Sequence, residues 1–334
     1  MVKTIEIQDA LKMLDKSAVF VDTRSPKEFA EDNIPGSINI PIFSNEERAI
    51  VGTLYKQNAV EAYQKGFGIY NSKITAFIEQ FKQLPAEKKI IVYCWRGGMR
   101  SKAIAELVTD IGRNTQQLIG GYKEFRAHVR EELKSYESPF KLIVLQGLAG
   151  CGKTDLIKKL NPSIDLEGFA KHRSSLFGAL GLKPVSQKMF ESRLWKKLQE
   201  LKNEKVVFIE GEAKKVGDLF VPDKLYEQMQ KSQTIRITAS IKTRSKRIVQ
   251  DYFTYDEDEK IKQIIMKLNV YLTNKRVEEL CVLVDEKRYE EVSQILLEDY
   301  YDHQYKHALE SKTYSGEVCN DNIDKAISEL QKLV

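Results

Sequence analysis

The chain of 334 residues is poor in the residues that build metal sites and disulfide frameworks, with four histidines and four cysteines. The cysteines are far apart, no C-x-x-C pair occurs, and no histidine stands at metal-ligand spacing, which argues against structural zinc and against a disulfide framework. No apolar run approaches the roughly 18 residues that a membrane span needs. The first residues also lack the order of a secretory signal peptide. These absences favour a cytoplasmic protein without membrane contact.

Length and composition indicate an ordinary globular protein of two domains. Domains average roughly 100–200 residues, so 334 residues favour two of them, each able to bury a core. Hydrophobic residues make up 42% of the chain and charged residues 30%, which is typical of globular proteins. The net charge of +5 is compatible with a nucleic-acid partner but does not establish one.

Short apolar segments alternate with amphipathic helical stretches, which predicts an α/β fold with largely parallel sheets. The predicted strands are SAVFVDTR and KKIIVYCW in the first half, and FKLIVLQG, KVVFIEGE and QTIRITAS in the second. The charged stretch RAHVREELKSYESPF ends in Glu-Ser-Pro, as linkers often do. We therefore predict domains at residues 1–138 and 139–334. Strand signals almost vanish after Ile241, so we expect helices from there to the end.

The segment YCWRGGMRSKA, residues 93–103, places a cysteine between a predicted strand and a predicted helix. Backbone N–H groups at a helix N-terminus and nearby cations stabilise a thiolate, the reactive form of cysteine. Glycines let such a loop curl around an anion. We predict that Cys94 and Arg100 are catalytic and that the loop between them binds the anion. The loop residues are Trp95, Arg96, Gly97, Gly98 and Met99. The alternative is a strand-end cysteine followed by a glycine-rich turn.

The segment VDTRSPKEFAEDNIPGSINIP, residues 21–41, resembles the D-x-R-x-x-x-E-F…I-P-G-[AS]-x-N-[IL]-P signature of rhodanese domains. The resemblance covers about residues 1–130 and implies that Cys94 stands where those domains carry sulfur. Asn33 departs from the histidine that many members have there. The spacing from Cys94 to Arg100 is C-x5-R instead of the usual C-x4-R, and the longer loop is similar to phosphatase loops. We therefore expect it to accept a phosphate-bearing donor as well as sulfane sulfur.

A second anion-binding loop lies in GLAGCGKT, residues 147–154, between a predicted strand and a predicted helix. This is the Walker A pattern, in which backbone N–H groups wrap phosphates, the lysine reaches terminal phosphates and the threonine is a candidate Mg²⁺ ligand. We predict a P-loop NTPase-like domain with a helical C-terminal part. The predicted phosphate-binding residues are Gly147, Gly150, Gly152, Lys153 and Thr154. Cys151 receives no chemical role.

Three downstream segments contain candidate substrate or phosphate contacts. VVFIEGEAKKVG carries acids at the end of a predicted strand, near the position of a Walker B acid. IDLEGFAKHRSSLFG gathers charged residues after a short strand, and RITASIKTRSKR has two arginines three residues apart on a predicted helix, able to face one phosphate. The alternative for each is a solvated polar surface. The candidates are Asp165, Glu167, His172, Arg173, Glu210, Glu212, Arg244 and Arg247.

Taken together, the two halves resemble bacterial and archaeal tRNA 2-selenouridine synthases. The matching segments are YCWRGGMRS, GLAGCGKT, DLEGFAKHRSSLFG, IEGEAKKVG and LLEDYYDHQYKHAL. The resemblance implies a reaction on 2-thiouridine at the wobble position of tRNA, in which selenium from selenophosphate replaces sulfur. It also implies transfer of a geranyl group from geranyl diphosphate to that sulfur. No tightly bound cofactor is expected. The implied partners are a tRNA anticodon stem-loop, the two donors and a selenophosphate-producing enzyme.

On this hypothesis Lys153, Thr154 and the P-loop glycines bind the diphosphate of geranyl diphosphate, while Cys94 and Arg100 handle selenophosphate. A nucleotide in the P-loop is the alternative, and Cys94 either carries selenium or assists its delivery. Basic residues in RLWKKLQELKNEK and residues 236–247 are candidates for tRNA phosphate contacts. Two other functions stay open: a sulfurtransferase fused to an ATP-dependent small-molecule kinase, and a non-catalytic anion-sensing module.

The length of the cysteine loop yields a test. Removing one residue between Cys94 and Arg100 should weaken binding of selenophosphate, because the shorter loop fits a tetrahedral phosphate less well. Titration of the folded variant with selenophosphate measures the effect. Unchanged donor affinity would contradict the interpretation of the loop spacing.

Overall fold

A computed structural model describes residues 2–333, and for residues 306–308 it describes only the backbone. The side chains of Lys306, His307 and Ala308, near the end of the segment LLEDYYDHQYKHAL, thus lie outside the described part. The chain divides into two compact units, Met1–Glu132 with Glu191–Arg193, and Leu133–Phe190 with Leu194–Val334. The predicted boundary at residue 138 lies a few residues beyond this division.

The first unit is built on a parallel sheet of five strands in the order β1-β5-β4-β2-β3. Its elements are β1 (Lys3–Ile5), α1 (Ile7–Lys12), β2 (Ala18–Asp22), α2 (Pro26–Glu31), β3 (Ile38–Asn39), α3 (Asn45–Gln57), α4 (Ala59–Ser72), α5 (Ile74–Lys82), β4 (Lys89–Tyr93), α6 (Met99–Asp110), β5 (Thr115–Leu118) and α7 (Gly121–Lys134), the last ending just past the division. The central strand β4 is a continuous apolar run, as expected for a strand buried on both faces. Its carboxyl end leads directly into the cysteine loop.

A buried ion pair connects the end of β2 to the rest of this unit. The Arg24 guanidinium is 1% exposed and donates to the Asp22 carboxylate at 2.6 and 3.0 Å. It also donates to the carbonyl oxygen of Asp32 at 2.7 Å and lies 3.8 Å from the ring centroid of Tyr122. The aspartate and arginine of the D-x-R motif therefore have a structural role.

The second unit contains another parallel sheet, in the order β12-β11-β6-β8-β7, and a small antiparallel ribbon of β9 and β10. Its elements are β6 (Lys141–Gln146), α8 (Lys153–Lys159), β7 (Ser163–Ile164), α9 (Leu166–Ala170), α10 (Gln187–Leu201, of which 191–193 group with the first unit), β8 (Val206–Glu210), β9 (Lys215–Val216), β10 (Leu219–Phe220), α11 (Asp223–Lys231), β11 (Gln233–Thr238), α12 (Ile241–Tyr252), α13 (Asp258–Met266), a 3₁₀ turn (Lys267–Val270), α14 (Asn274–Asp285), α15 (Tyr289–Leu296), a π-helical turn (Leu297–Tyr301), α16 (Asp302–Glu310), β12 (Gly316–Cys319) and α17 (Ile323–Lys332).

The topology of the second sheet brings two functional segments together. Strand β6 occupies the centre and leads into the P-loop, and β8 is its parallel neighbour, with Leu145 opposite Glu210. Because parallel neighbours end at the same edge of a sheet, the acids that follow β8 lie beside the P-loop. A separate apolar core formed largely by α12–α15 packs the helical part.

The predicted α/β fold is confirmed, and each of the five predicted strands is present, as β2, β4, β6, β8 and β11. The expectation of helices alone after Ile241 is wrong at β12, which pairs in parallel with β11 at the edge of the sheet. Only Val318 of this strand is buried, so it lacks the apolar run that marks a central strand. None of the helices between residues 2 and 333 is long and apolar enough to cross a membrane.

Removing the buried Arg24 side chain should destabilise the folded protein. Arg24→Ala leaves the Asp22 carboxylate buried without its partner, and we expect the free energy of unfolding to fall by about 3–5 kcal/mol. Denaturant titration measures the loss. The control is Arg48→Ala, whose side chain is 43% exposed and 3.7 Å from Glu28, and which should cost less than about 1 kcal/mol. Equal losses in the two variants would contradict a structural role for the D-x-R pair.

Candidate active site: two anion-binding loops

The thiol of Cys94 lies at the N-terminus of α6. Residue Cys94 directly follows β4 and is 3% exposed. Its Sγ accepts hydrogen bonds from the backbone N–H of Gly98 and from the hydroxyl of Ser101, both at 3.2 Å. Two donors therefore point at the sulfur of Cys94. Ser101 was not identified from the sequence, although it directly follows the arginine of the loop.

Side chain and backbone contacts from outside the loop fix its shape. The amide nitrogen of Gln117 donates to the carbonyl oxygens of Gly97 at 2.8 Å and Gly98 at 3.1 Å. Gly97 has φ +64°, and a Cβ there would lie 2.5 Å from the carbonyl oxygen of Leu118. A Cβ at Gly121 would lie 2.3 Å from the carbonyl oxygen of Cys94. Glycine is therefore required on both sides of this close approach.

Arg100 is held beside the loop by Glu28. Its guanidinium lies 3.2 Å from the Glu28 carboxylate, which also accepts the backbone N–H of Ser25 at the start of α2. Burial would raise the pKa of Glu28, but the charge of Arg100 and the Ser25 hydrogen bond outweigh it and lower the pKa. Trp95, Arg96 and Met99 are exposed, and Trp95 packs against Tyr122 with ring centroids 5.2 Å apart. Arg100, at the start of α6, is thus held in an ion pair with Glu28.

The P-loop connects β6 to α8 and has the expected glycine conformations. Gly150 and Gly152 adopt positive φ, at +73° and +82°. The Lys153 Nζ donates to the carbonyl oxygen of Gly147 at 3.0 Å. Burial would lower the pKa of Lys153, but the neighbouring Cys151, followed by Glu212 and Glu167, raises it above its ordinary value. The raised pKa favours the charged form of Lys153.

The two arginines of α12 hold the P-loop by its carbonyl groups. Arg244 is buried, donates to the carbonyl oxygen of Ala149 at 2.8 Å and forms an ion pair with Asp302. Arg247 donates to the carbonyl oxygen of Cys151 at 3.0 Å and of Asn320 at 2.7 Å. The sequence suggested that both could face one phosphate, whereas here they bind the loop backbone. Arg247 also lines the cavity described below, so ligand contact by it stays a prediction.

The predicted acids meet at the end of β8. The Oε2 of Glu210, which is buried, accepts the backbone N–H of Glu167 at 3.1 Å, and its Oε1 has no hydrogen-bond partner among the described residues. The Thr154 hydroxyl donates to Glu167 at 2.8 Å. The side chain of Asp165 caps α9 by accepting the N–H of Gly168 at 2.7 Å. The P-loop threonine and the downstream acids therefore form one network.

Burial and mutual repulsion oppose ionisation of the carboxyl groups in this cluster. Burial, followed by repulsion from Glu167, Asp165 and Glu212, raises the pKa of Glu210 well above its ordinary value. Burial and Glu167 raise the pKa of Glu212 to about 7. The described residues contain no group of three or more His, Cys, Asp or Glu side chains arranged to hold a metal ion. Thr154 and Glu210 offer the oxygen ligands that Mg²⁺ prefers, and Mg²⁺ binding there stays a prediction.

His172 and Arg173 follow α9 and differ in their surroundings. Burial lowers the pKa of His172, and its Nδ1 is buried without a partner in the described part of the chain. Its ring packs where Gly217 has no side chain, since a Cβ there would lie 2.6 Å from the ring. Arg173 donates to the carbonyl oxygen of Leu180 and to the hydroxyl of Tyr255, both at 3.2 Å.

A cavity of about 490 Å³ opens over the P-loop. Its walls include predicted residues from the phosphate loop and from the acidic cluster, and several that no motif indicated. Lys312 is one of these: its Nζ donates to the Gln146 side chain at 2.9 Å, and burial lowers its pKa. The lining residues missed from the sequence include Tyr226, Tyr252, Tyr305 and Lys312.

Family comparisons agree with this arrangement. Residues 6–128 match the model of the rhodanese-like domain. Residues 140–333, more than half of the chain, match the model of the tRNA 2-selenouridine synthase AAA domain. The chain belongs to the tRNA 2-selenouridine synthase family.

Curated members of the tRNA 2-selenouridine synthase family align with most of the chain. The protein of that name from Nitrosomonas europaea is 32% identical over 260 residues, which are 74% of this chain and 67% of the relative. The Pseudomonas syringae pv. syringae protein is 34% identical over 70% of this chain and 65% of its own length. The Sulfurovum sp. protein is 34% identical over 73% of this chain and 68% of its own length. The chain thus spans about two thirds of the length of these synthases.

A solved structure is similar to part of this synthase-family chain. The N-terminal domain of a Clostridium difficile 630 protein described as ATP/GTP binding is 43% identical, with a TM-score of 0.36. It covers 38% of this chain and 98% of the solved chain.

The acidic cluster predicts a pH-dependent stability difference. The folded protein raises the pKa of Glu210 above the value of 4.5 for a free carboxyl, so Glu210 keeps a proton that the unfolded chain releases. Its contribution to the free energy of unfolding is therefore present at low pH and lost as pH rises. Glu210→Gln should be more stable relative to wild type at about pH 8 than at about pH 5.

Denaturant titrations at both pH values measure this difference, with Glu204→Gln, an exposed loop residue, as the control. A difference from wild type that does not change with pH would show that Glu210 has no raised pKa.

Proposed function

We propose that this chain replaces sulfur with selenium in wobble 2-thiouridine of tRNA, through an S-geranyl intermediate, with geranyl diphosphate and selenophosphate as donors. The observation that carries the proposal is the presence of two anion-binding loops with different chemistry. One holds a thiol with Arg100, and the other holds Lys153 in a cavity with carboxylates. Two phosphate-bearing donors require two such sites, and family membership supports the reaction class.

The first step takes place at the P-loop. The sulfur of 2-thiouridine attacks C1 of geranyl diphosphate, a carbon–sulfur bond forms, and pyrophosphate leaves with the electron pair of the broken carbon–oxygen bond. The base then loses its N3 proton to solvent. Lys153 and the P-loop N–H groups stabilise the charge that develops on the leaving diphosphate. The cavity beside the loop has tyrosine and leucine side chains that suit the geranyl chain.

The second step takes place at the cysteine loop. A thiocarbonyl sulfur is a poor leaving group, but alkylation converts it to a thioether. A selenium nucleophile adds at C2, the carbon–sulfur bond breaks, and geranyl thiolate leaves with the electron pair. Water converts the phosphorus of selenophosphate to phosphate. Cys94 and Arg100 hold this donor, while basic residues of 236–247 and RLWKKLQELKNEK are proposed to bind the tRNA backbone.

Single-residue variants separate the two steps. A 2-thiouridine anticodon stem-loop is incubated with geranyl diphosphate, then with selenophosphate, and followed by mass spectrometry. Lys153→Ala should slow formation of the geranyl adduct by about a hundredfold or more, because it removes charge stabilisation at the leaving group. Cys94→Ser should form the adduct normally but fail to convert it.

Lys159→Ala, on the exposed side of α8, and Cys319→Ser, an exposed cysteine, are the controls. A Lys153→Ala variant that geranylates normally but does not selenate would refute the assignment of the diphosphate to the P-loop. No reaction of the wild type at either step, with active donors, would favour a sulfurtransferase–kinase instead.

A further inference from the structure

The cysteine loop has the parts needed to attack phosphorus, not only to hold a phosphate. Cys94 Sγ accepts hydrogen bonds from a helix N-terminal N–H and from Ser101. Arg100, at the end of the C-x5-R loop, is fixed by Glu28. A hydrogen-bonded sulfur nucleophile and a cation for phosphate oxygens are thus gathered within one loop.

We propose that Cys94 cleaves selenophosphate through a phosphocysteine intermediate and thereby releases hydrogen selenide as the selenium nucleophile. This inference rests on the proposed function, and it assigns Cys94 to phosphorus chemistry. The thiolate attacks phosphorus, a sulfur–phosphorus bond forms, the selenium–phosphorus bond breaks, and hydrogen selenide leaves with the electron pair. Water then attacks phosphorus, the Cys94 thiolate leaves, and phosphate is released with a proton to solvent.

The electron count favours this route over a selenium carrier. Selenium in selenophosphate already has the oxidation level of selenide, so forming a perselenide on Cys94 would require a two-electron oxidant that the proposed reaction does not supply. Attack on phosphorus requires none. The released hydrogen selenide anion adds at C2 of the geranylated base and its proton restores N3–H, while geranyl thiolate leaves with the electron pair of the carbon–sulfur bond and takes a proton from solvent.

Ser101 has a specific part in the second half of this cycle. The Gln117 amide donates to the Ser101 hydroxyl oxygen at 2.9 Å, and the hydroxyl proton has two acceptors, the carbonyl oxygen of Gly98 at 3.1 Å and Cys94 Sγ at 3.2 Å. When Sγ departs as a thiolate it is the stronger acceptor of the two, and the hydroxyl donates to it. That hydrogen bond stabilises the thiolate when water breaks the sulfur–phosphorus bond. Ser101 therefore assists breakdown of phosphocysteine more than its formation.

The charge state of Glu28 predicts the substrate range. This carboxylate, which contacts the loop through Arg100, is kept ionised because the ion pair outweighs burial and lowers its pKa. It therefore does not act as a general acid for the leaving group. Hydrogen selenide and hydrogen sulfide leave as stable anions and need no acid. Alkyl alcohols do need one, so alkyl phosphates should not be cleaved.

Phosphate release without RNA tests the proposal. The full chain is incubated with thiophosphate, a stable probe, or with glycerol phosphate, and phosphate is measured. Wild type should release phosphate from thiophosphate and not from glycerol phosphate, and Cys94→Ser should release none. Ser101→Ala should accumulate an adduct on the Cys94 peptide with the mass of a phosphoryl group. Ser72→Ala, an exposed hydroxyl on α4, and Cys319→Ser are the controls.

The outcomes separate this inference from the proposed function. If wild type converts geranylated RNA with selenophosphate but releases phosphate only when RNA is present, and no adduct forms, the phosphocysteine route is overturned and the proposed function stands. An adduct with the mass of one sulfur atom would likewise overturn it in favour of a chalcogen carrier. Failure of wild type to convert geranylated RNA at all would refute the proposed function instead.

Discussion

Both anion-binding loops keep their shape because their backbone carbonyl oxygens accept hydrogen bonds from other parts of the chain. A loop that directs its N–H groups toward an anion leaves its carbonyl oxygens to be bound elsewhere, because buried backbone groups need partners. In the cysteine loop the Gln117 side chain donates to the carbonyl oxygens of Gly97 and Gly98. In the P-loop the lysine of the motif binds the first carbonyl, and Arg244, Arg247 and Asn320 bind the later ones. The geometry of each site is therefore set largely by side chains that belong to neither motif.

The two sites differ in how they manage charge. At the cysteine loop a single carboxylate is paired with the arginine that it positions, and a helix N-terminal N–H points at the thiol. At the P-loop several carboxylates lie close together around one lysine, and the burial of Glu210 forces some of them toward the protonated form. The first arrangement suits a small donor anion. The second suits a ligand that brings its own apolar portion and whose binding depends on protons or on a cation.

The sequence predicted those parts of the structure that are local. Continuous apolar runs identified β2, β4, β6, β8 and β11, and glycine-rich spacing identified both loops. Ser101 and Glu28 were identifiable from the sequence, because Ser101 directly follows the loop arginine and Glu28 belongs to the E-F pair of the motif in residues 21–41. Gln117, Asn320 and Lys312 were not, because they approach their loops from distant strands and turns and carry no spacing signal. Strand β12 was missed because one buried residue makes no pattern.

The position of Asn320 has a consequence for the order in which the protein matures on the ribosome. Its amide donates to the carbonyl oxygens of Cys151 at 2.8 Å and Gly152 at 3.3 Å, and its backbone follows the edge strand β12. The residues that hold the cysteine loop are all made by residue 123, whereas the P-loop is completed only by a segment made long after it. During synthesis the cysteine loop can therefore reach its folded conformation early. The P-loop, by contrast, lacks the Asn320 hydrogen bonds to its carbonyl groups until residue 320 has been added.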